Sequence, residues 1–212
     1  MALRLGDVAP NFKTQTTAGP LDFYEWLGDS WCMLCLRSGG FTPICATELA
    51  RTAELQSSFD KRNVKILAVG RASVDVYFHH IKDIEATHQV HVGFPLAADE
   101  DGRIAALFGL IPANGEAWEP TCSLFVIAPD KTVKLTTDYP PSTGRNFHEI
   151  LRTIDSLQLT AGYHVATPVD WEWGEDVFIL PTLSDAVVDE IFPKGYEATK
   201  PYMRITPQPV LE

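Results

Sequence analysis

A cysteine three residues after a threonine is the part of this sequence best suited to chemistry. Thr42 is followed by Pro43, which is typical of a helix start, with the threonine as N-cap and the proline at the first helical position. Cys45 would then lie at the third helical position, close to free backbone N–H groups and to the positive end of the helix dipole. That environment lowers the pKa of a thiol below its usual value of about 8.5. The pattern therefore predicts a nucleophilic, half-buried thiolate at Cys45.

The elements that position Cys45 are predicted to be a buried strand before it and an amphipathic helix after it. The apolar stretch 31–36 indicates the strand, and Leu49 shares a helix face with Cys45. Further along, apolar strand patterns over residues 64–69 and 123–127 alternate with helical patterns, as in an α/β layer fold. The predicted helices include one from Pro43 to about Phe59 and one with Ser73 as its N-cap.

After about Gly162 proline and tryptophan become more frequent, and we predict short strands over residues 177–180 and 202–205 around a helix near residues 184–191. We therefore expect a main domain over residues 1–162 and an extension over residues 163–212.

The other three cysteines are Cys32, Cys35 and Cys122. Cys32 and Cys35 have the spacing of a redox motif, but they fall within the predicted strand, where residues three apart face opposite sides of the sheet. We interpret this pair as packing cysteines and keep a redox partnership with Cys45 as the less favoured alternative. Whether any of the three thiols approaches Cys45 stays open at this stage.

The composition excludes several classes of function. The 212 residues carry a formal net charge of −11 without a cluster of lysine or arginine, which argues against nucleic acid and anionic membranes as partners. No apolar run reaches about 18 residues, and none near the N-terminus resembles a signal peptide, so we expect a cytoplasmic protein without membrane insertion. The histidines are not spaced as in a known metal site, and neither a metal nor another cofactor is expected.

The residues from Phe41 to Glu48 resemble the peroxidatic-cysteine motif of the peroxiredoxin family, in particular its one-cysteine type. The resemblance covers nearly the whole chain and implies a thioredoxin-like α/β fold, with a central mixed sheet flanked by helices and a C-terminal extension. In one-cysteine members this extension helps to form a homodimer and covers the active site of the partner. The matching segments are residues 5–12, 41–48, 142–147, 167–171 and 200–207.

The same resemblance implies a reaction and roles for four residues. Cys45 corresponds to the peroxidatic thiol and Thr42 to the hydroxyl beside it. Arg145 corresponds to the family's later arginine, and Glu48 to the carboxylate that holds the arginine network. The implied reaction is reduction of hydrogen peroxide or an organic hydroperoxide, with a sulfenic acid formed on the cysteine. Because no cysteine follows Cys122, the C-terminal resolving cysteine is missing, and an external thiol of the glutathione or thioredoxin type is the expected reductant.

The loop before the motif departs from the family pattern. The usual His-Pro pair is replaced by Arg37 and Ser38, and Gly39 and Gly40 follow where bulkier residues are usual. We predict that Arg37, Ser38 and Gly39 contact the substrate. Small residues here are also expected to widen the mouth of the pocket. A wide pocket would suit a bulky organic substrate better than hydrogen peroxide.

The cation beside the thiolate is the second departure. The family's strand arginine aligns with Ser123, which we also place among the substrate-binding residues. Loss of one such donor typically lowers the rate by about 10²–10³. Arg37 and Arg71 are charges that the family pattern lacks at these positions. We therefore predict that Arg37 or Arg71 restores the positive charge from another direction.

Three functions of different classes are compatible with these patterns. The first, and the favoured one, is a one-cysteine thiol peroxidase with a rearranged cation. The second is the same fold repurposed for another Cys45-dependent reaction on a bulkier organic substrate, as in specialised metabolism. The third is a non-catalytic dimer that binds other proteins. Retention of the four motif residues argues against the third function, whereas the lost proline and strand arginine argue against a standard form of the first.

Overall fold

The computed structural model describes residues 3–37, 41–111, 121–200 and 202–210. The described residues fall into two compact units, divided between Phe147 and His148. The sequence placed the boundary after residue 162, at the end of the helix Phe147–Gly162, whereas the two units divide at the start of this helix.

The first unit is built on a mixed sheet of seven strands in the order β2-β1-β5-β4-β3-β6-β7. Its strands are β1 (Lys13–Thr16), β2 (Gly19–Asp22), β3 (Trp31–Arg37), β4 (Val64–Gly70), β5 (Leu96–Ala98), β6 (Cys122–Ile127) and β7 (Val133–Tyr139). The central strand β3 pairs parallel with β4 and antiparallel with β6. These three strands are apolar and largely buried, as expected for the middle of a covered sheet. The predicted α/β layer fold is confirmed.

Five helices accompany this sheet: α1 (Phe23–Leu27), α2 (Pro43–Glu54), α3 (Gln56–Asp60), α4 (Val74–His88) and α5 (Arg103–Leu107). The sequence predicted one helix from Pro43 to about Phe59, but the structure has two, because Leu55 leaves the helical conformation (φ −95°, ψ 4°). Helix α4 begins as predicted, with the Ser73 hydroxyl accepting a hydrogen bond from the backbone N–H of Val76.

The two faces of β3 have different surroundings. The face that carries Cys32, Leu34 and Leu36, here called the aromatic face, packs on a cluster rich in phenylalanine. In this cluster Phe108 and Phe125 meet edge-to-face, with ring centroids 5.1 Å apart. The opposite face carries Met33, Cys35 and Arg37 and is here called the α2 face, because its residues line a cavity together with residues of α2.

The second unit is smaller and has its own apolar cluster around the buried Trp171. Its elements are α6 (Phe147–Gly162), β8 (Val165–Ala166), β9 (Val177–Ile179), α7 (Asp185–Ile191), β10 (Glu197–Lys200) and β11 (Met203–Thr206). The strands form a sheet in the order β10-β11-β9-β8. Two of these strands and the helix α7 were expected from the sequence. Within the described part of the chain, no helix combines the length and apolar character needed to span a bilayer.

Candidate active site

Cys45, the predicted nucleophile, lies in the first turn of α2, where the sequence placed it. Thr42 is the N-cap with extended backbone (φ −126°, ψ 162°), and its Oγ1 accepts a hydrogen bond from the Cys45 N–H at 3.3 Å. The same hydroxyl lies 3.0 Å from the Cys45 sulfur, to which it can donate. Cys45 is only 2% exposed. The helix start therefore supplies hydrogen bonding and dipole stabilisation to a nearly buried sulfur.

The surroundings of Cys45 lower its pKa. The largest cause is a hydrogen bond from the Cys122 thiol. Burial opposes it, whereas the charge of Arg37 and the Thr42 hydroxyl lower the pKa further. In turn, the pKa of Cys122 is raised, because its thiol gives this hydrogen bond to Cys45 and because it is buried. Cys45 is therefore the thiolate of the pair and Cys122 keeps its proton.

Arg37 reaches Cys45 from the end of β3. Its side chain leaves the α2 face and is a hydrogen-bond partner of both Cys45 and the Tyr77 hydroxyl. Burial raises the pKa of Tyr77 to about 12, so the phenol stays neutral beside the guanidinium. Gly70 leaves room for both groups, because a Cβ there would lie 2.7 Å from the Tyr77 oxygen and 3.1 Å from Arg37 Nη2. The guanidinium also lies over the Phe41 ring, 5.3 Å from its centroid.

A second arginine is held by Glu48. Arg145 donates from its Nη1 to Glu48 Oε2 at 2.7 Å, and from its backbone N–H to Glu48 Oε1 at 2.9 Å. The side chain of Arg145 is 3% exposed, and that of Glu48 is 12% exposed. The resemblance implied this pairing of a motif carboxylate with the later arginine. Glu48 therefore holds Arg145 through one charged hydrogen bond to the guanidinium and one hydrogen bond to the backbone.

Three guanidinium atoms near the thiolate have no hydrogen-bond partner among the described residues: Arg37 Nη1, Arg145 Nε and Arg145 Nη2. Both arginines and Cys45 line a cavity of about 20 Å³, with Leu49 and Phe147 among its apolar walls. This volume admits about one water-sized group. Buried N–H donors without a partner are ready to bind a small oxygen-containing substrate and to stabilise negative charge on its oxygen.

The sequence predicted a wide pocket mouth from small residues that lie outside the part of the chain described by the structure. Ser38 and Gly39, both predicted to contact substrate, lie outside the described residues, as does Gly40. The cavity next to the sulfur, as lined by the described residues, is small instead of wide. Its walls include residues of β3, β4 and α2, which could not be predicted from the composition of the loop.

Ser123 does not lie in the pocket, which corrects its predicted placement among the substrate-binding residues. It pairs with Leu36 across the β3–β6 ladder and therefore points to the aromatic face. There its hydroxyl donates to Asp138 Oδ1. The preceding residue, Cys122, points to the α2 face instead. Strand alternation would have separated Cys122 from Ser123, but the sequence did not show which of the two would face Cys45.

Arg71 also lies away from the thiolate, which corrects its predicted role as a substitute cation. Its guanidinium is beside Gly102, with Nε 3.7 Å from the position of a Cβ there. It acts electrostatically on the buried carboxylate of Asp99. Arg71 is not among the groups that shift the pKa of Cys45. Of the two arginines proposed from the sequence, the structure brings only Arg37 to the sulfur.

The two cysteines within β3 and two of the histidines, His80 and His91, have packing or surface contacts. Cys32 is fully buried on the aromatic face, and Cys35 lies on the α2 face with its pKa raised to about 11 by burial. His80 stacks on Phe41 with ring centroids 3.8 Å apart, and the exposed His91 contacts Glu85. Among the described residues, no three metal-ligating side chains come together.

A thiolate at a helix start beside a mixed α/β sheet, with buried guanidinium donors around it, defines a thiol-dependent oxidoreductase. Residues 5–136 match the AhpC/TSA family. Over 207 residues the chain is 46% identical to a 1-Cys peroxiredoxin of Dictyostelium discoideum, a match that covers 98% of this chain and 86% of the relative. It is also 46% identical to Peroxiredoxin-6 of Rattus norvegicus, with 98% of both chains covered. The chain therefore belongs to the peroxiredoxin family, in its one-cysteine branch.

Solved structures confirm the thioredoxin-like fold. A yeast mitochondrial 1-Cys peroxiredoxin superposes with a TM-score of 0.90 at 38% identity, covering 97% of this chain and 99% of that one. Peroxiredoxin 6 of Arenicola marina gives a TM-score of 0.87, also at 38% identity, covering 98% of this chain and 99% of that one. Both units of this chain thus have counterparts in one-cysteine relatives.

Proposed function

We propose that this protein reduces hydrogen peroxide and small organic hydroperoxides through the Cys45 thiolate. The observation that carries this function is the cavity in which Cys45 meets the partner-free donors of Arg37 and Arg145. A peroxide presents two oxygens to such a site, one for the nucleophile and one for the donors. The chemistry needs a thiolate, and the lowered pKa of Cys45 supplies it at neutral pH.

In the reaction, the Cys45 sulfur attacks one oxygen of the peroxide while the O–O bond breaks. The attacked oxygen becomes the sulfenic acid, and the other leaves as hydroxide or alkoxide and takes a proton from solvent. The guanidinium groups of Arg37 and Arg145 donate to the oxygens and stabilise the charge that develops on the leaving one. The Thr42 hydroxyl, 3.0 Å from the sulfur, orients the thiolate for attack. Glu48 acts indirectly, by holding Arg145.

The two other functions considered from the sequence receive less support. A bulkier organic substrate does not fit a cavity of about 20 Å³ beside the sulfur. A non-catalytic binding role gives no reason for a thiol with a lowered pKa, nor for partner-free guanidinium atoms of two arginines that line the same cavity. Peroxide reduction uses all of these features.

An external thiol of the glutathione or thioredoxin type completes the cycle by returning Cys45 to its thiolate. The similar yeast mitochondrial 1-Cys peroxiredoxin is described as resolved through the glutathione and thioredoxin systems, which supports this class of reductant. Steady-state peroxide consumption with each reductant in turn tests it. If neither glutathione nor thioredoxin supports peroxide consumption, this part of the proposal is contradicted.

The working form is a homodimer in the cytoplasm. Exposed apolar side chains in the second unit, including Val169, Trp173 and Tyr202, would be covered by a second copy. All four cysteines are free thiols, the state that a reducing compartment maintains. Light scattering of the purified protein and fractionation of the source cells test the two statements separately. A monomer at micromolar concentration would contradict the first.

The experiment that tests the catalytic function is a stopped-flow reaction of the reduced protein with hydrogen peroxide and with ethyl hydroperoxide. We expect oxidation that is far faster than that of a free thiol and that disappears in Cys45→Ser. Cys32→Ser serves as a matched control, since Cys32 is a fully buried cysteine of the same strand on the opposite face of the sheet. A wild-type rate equal to that of a free thiol would refute peroxide reduction as the function.

A further inference from the structure

A second cysteine is in contact with the reactive sulfur. Cys122 is the first residue of β6, and it pairs with Arg37 across the β3–β6 ladder, so its side chain lies on the α2 face. Its thiol is a hydrogen-bond partner of the Cys45 sulfur. The two residues are 6% and 2% exposed. The β3–β6 register and the burial therefore bring the Cys122 thiol to the Cys45 sulfur in a nearly closed environment.

We infer that Cys122 is a resolving cysteine, which attacks the sulfenic acid of Cys45 and forms an intramolecular disulfide. The inference rests on the proposed peroxidase function, because peroxide must first oxidise Cys45. In this step the Cys122 sulfur bonds to the Cys45 sulfur and the S–O bond of the sulfenic acid breaks. The oxygen leaves as water with the proton of Cys122. The external thiol then reduces the disulfide by thiol–disulfide exchange.

The electrostatics of the site make Cys122 reactive only after Cys45 has been oxidised. In the reduced protein the thiolate of Cys45 keeps the proton on Cys122, whereas Arg145 and Arg37 favour its loss. Oxidation turns the charged Cys45 sulfur into a neutral sulfenic acid. This removes the opposing charge, so that the two arginines act against burial alone. The thiolate form of Cys122 becomes easier to reach at the moment when an electrophilic sulfur stands next to it.

Cys35 is the natural comparison, because it also lies on the α2 face and lines the same cavity as Cys45. In the β3–β6 ladder Cys35 lies opposite Leu124, two residues further along β6 than Cys122. Cys35 is not among the hydrogen-bond partners of the Cys45 sulfur. Burial raises the pKa of Cys35 to about 11. Of these two cysteines, Cys122 is the one whose thiol is a hydrogen-bond partner of the sulfur that is oxidised.

The test is the product formed when the reduced protein receives one equivalent of hydrogen peroxide without an external thiol. Remaining thiols are alkylated, and intact mass and peptide mapping identify the product. We expect the wild type and Cys35→Ser to lose two hydrogen atoms and to yield a peptide cross-linked between Cys45 and Cys122. Cys122→Ser retains a hydrogen-bond donor, so Cys45 still reacts, but its product gains one oxygen and is labelled by dimedone. Cys122→Ala provides a second variant in case the serine disturbs folding.

The outcomes separate this inference from the function on which it rests. If the wild type accumulates dimedone-reactive Cys45 while Cys122 is alkylated, the resolving role is overturned and the peroxidase stands. A disulfide from Cys45 to Cys35, or to a second chain, overturns it as well. If peroxide leaves Cys45 as a free thiol in the wild type and in Cys122→Ser, the proposed function fails, and the resolving step fails with it.

Discussion

The two faces of the strand pair β3–β6 carry polar groups with opposite purposes. On the aromatic face, Ser123 donates to Asp138 within the same strand layer, and the pair satisfies its own hydrogen bonding. On the α2 face, Arg37 and Cys122 lie side by side and direct donors at the thiolate of Cys45. On the aromatic face the polar groups hydrogen-bond to each other, whereas on the α2 face Arg37 Nη1 has no partner among the described residues and can bind a substrate.

A second comparison, between the two arginines singled out from the sequence, gives the same lesson. Arg37 interacts with the Cys45 sulfur, the Tyr77 hydroxyl and the Phe41 ring. Arg71 lies beside Gly102 and acts on Asp99. Both follow or end a central strand, but only Arg37 extends from the α2 face towards the helix start. Position relative to the helix, and not charge alone, decides which cation activates the thiol.

The largest effect is expected from removing the cation on the α2 face. Arg37→Met keeps the apolar bulk of the side chain but removes the charge and the donors next to Cys45. We expect the second-order rate constant with hydrogen peroxide to fall by about 10²–10³. Stopped-flow kinetics measures it, and Arg71→Met, which removes an arginine away from the sulfur, serves as the control. Equal rates for Arg37→Met and the wild type would remove Arg37 from the mechanism.

The pH dependence of the reaction should show a smaller effect of the same residue. Because the native pKa of Cys45 is lowered, the wild-type rate stays near its maximum at neutral pH and falls only in acid. In Arg37→Met the pKa rises by about one to three units, so the acid limb moves to higher pH. The thiolate likewise stabilises the native state most above the unfolded pKa of about 8.5, and this contribution is lost as pH falls through the native pKa.

Rate constants measured across the pH range, together with the ultraviolet absorbance of the thiolate, give the pKa of both proteins. A wild-type rate that already declines below about pH 8.5, as for a free thiol, would contradict the lowered pKa.

A backbone position beside the site should have an intermediate effect. In Gly70→Ala the new Cβ meets the Tyr77 oxygen at 2.7 Å and Arg37 Nη2 at 3.1 Å, so both groups must shift. We expect a loss of about tenfold in the peroxide rate, since small misplacements of a catalytic group are costly. Gly144→Ala is the matched control, because its Cβ meets only Ile44 at an ordinary 3.7 Å. If both variants react alike, the close approach at Gly70 has no catalytic consequence.

The smallest effect on the reaction belongs to the aromatic face. Ser123→Ala removes the hydrogen bond to Asp138, which should lower the free energy of unfolding by about 1 kcal/mol. The peroxide rate should stay unchanged, because the side chain points away from Cys45. Urea denaturation and stopped-flow kinetics on the same samples separate the two quantities. A lower rate without a loss of stability would return Ser123 to the pocket.

Much of the fold and the centre of the site could be predicted because they depend on short stretches of sequence. Thr42 and Pro43 define a helix start by their own chemistry, and a cysteine at the third position gains the dipole whatever surrounds it. Apolar runs likewise located β3, β4 and β6 within a residue or two. The pairing of Glu48 with Arg145 followed from the family resemblance, not from local pattern.

The sequence by itself determined where the predicted nucleophile lies and one contribution to its lowered pKa, the hydrogen bonding by Thr42, since helix capping acts over three or four residues. Only the tertiary structure decided which distant side chains surround it. The β3–β6 register placed Cys122 beside Arg37 and turned Ser123 away, and a shift of one residue would have exchanged them. Gly70 then left the space through which Arg37 reaches the sulfur. Register and close packing depend on residues far apart in the chain, and no local pattern encodes them.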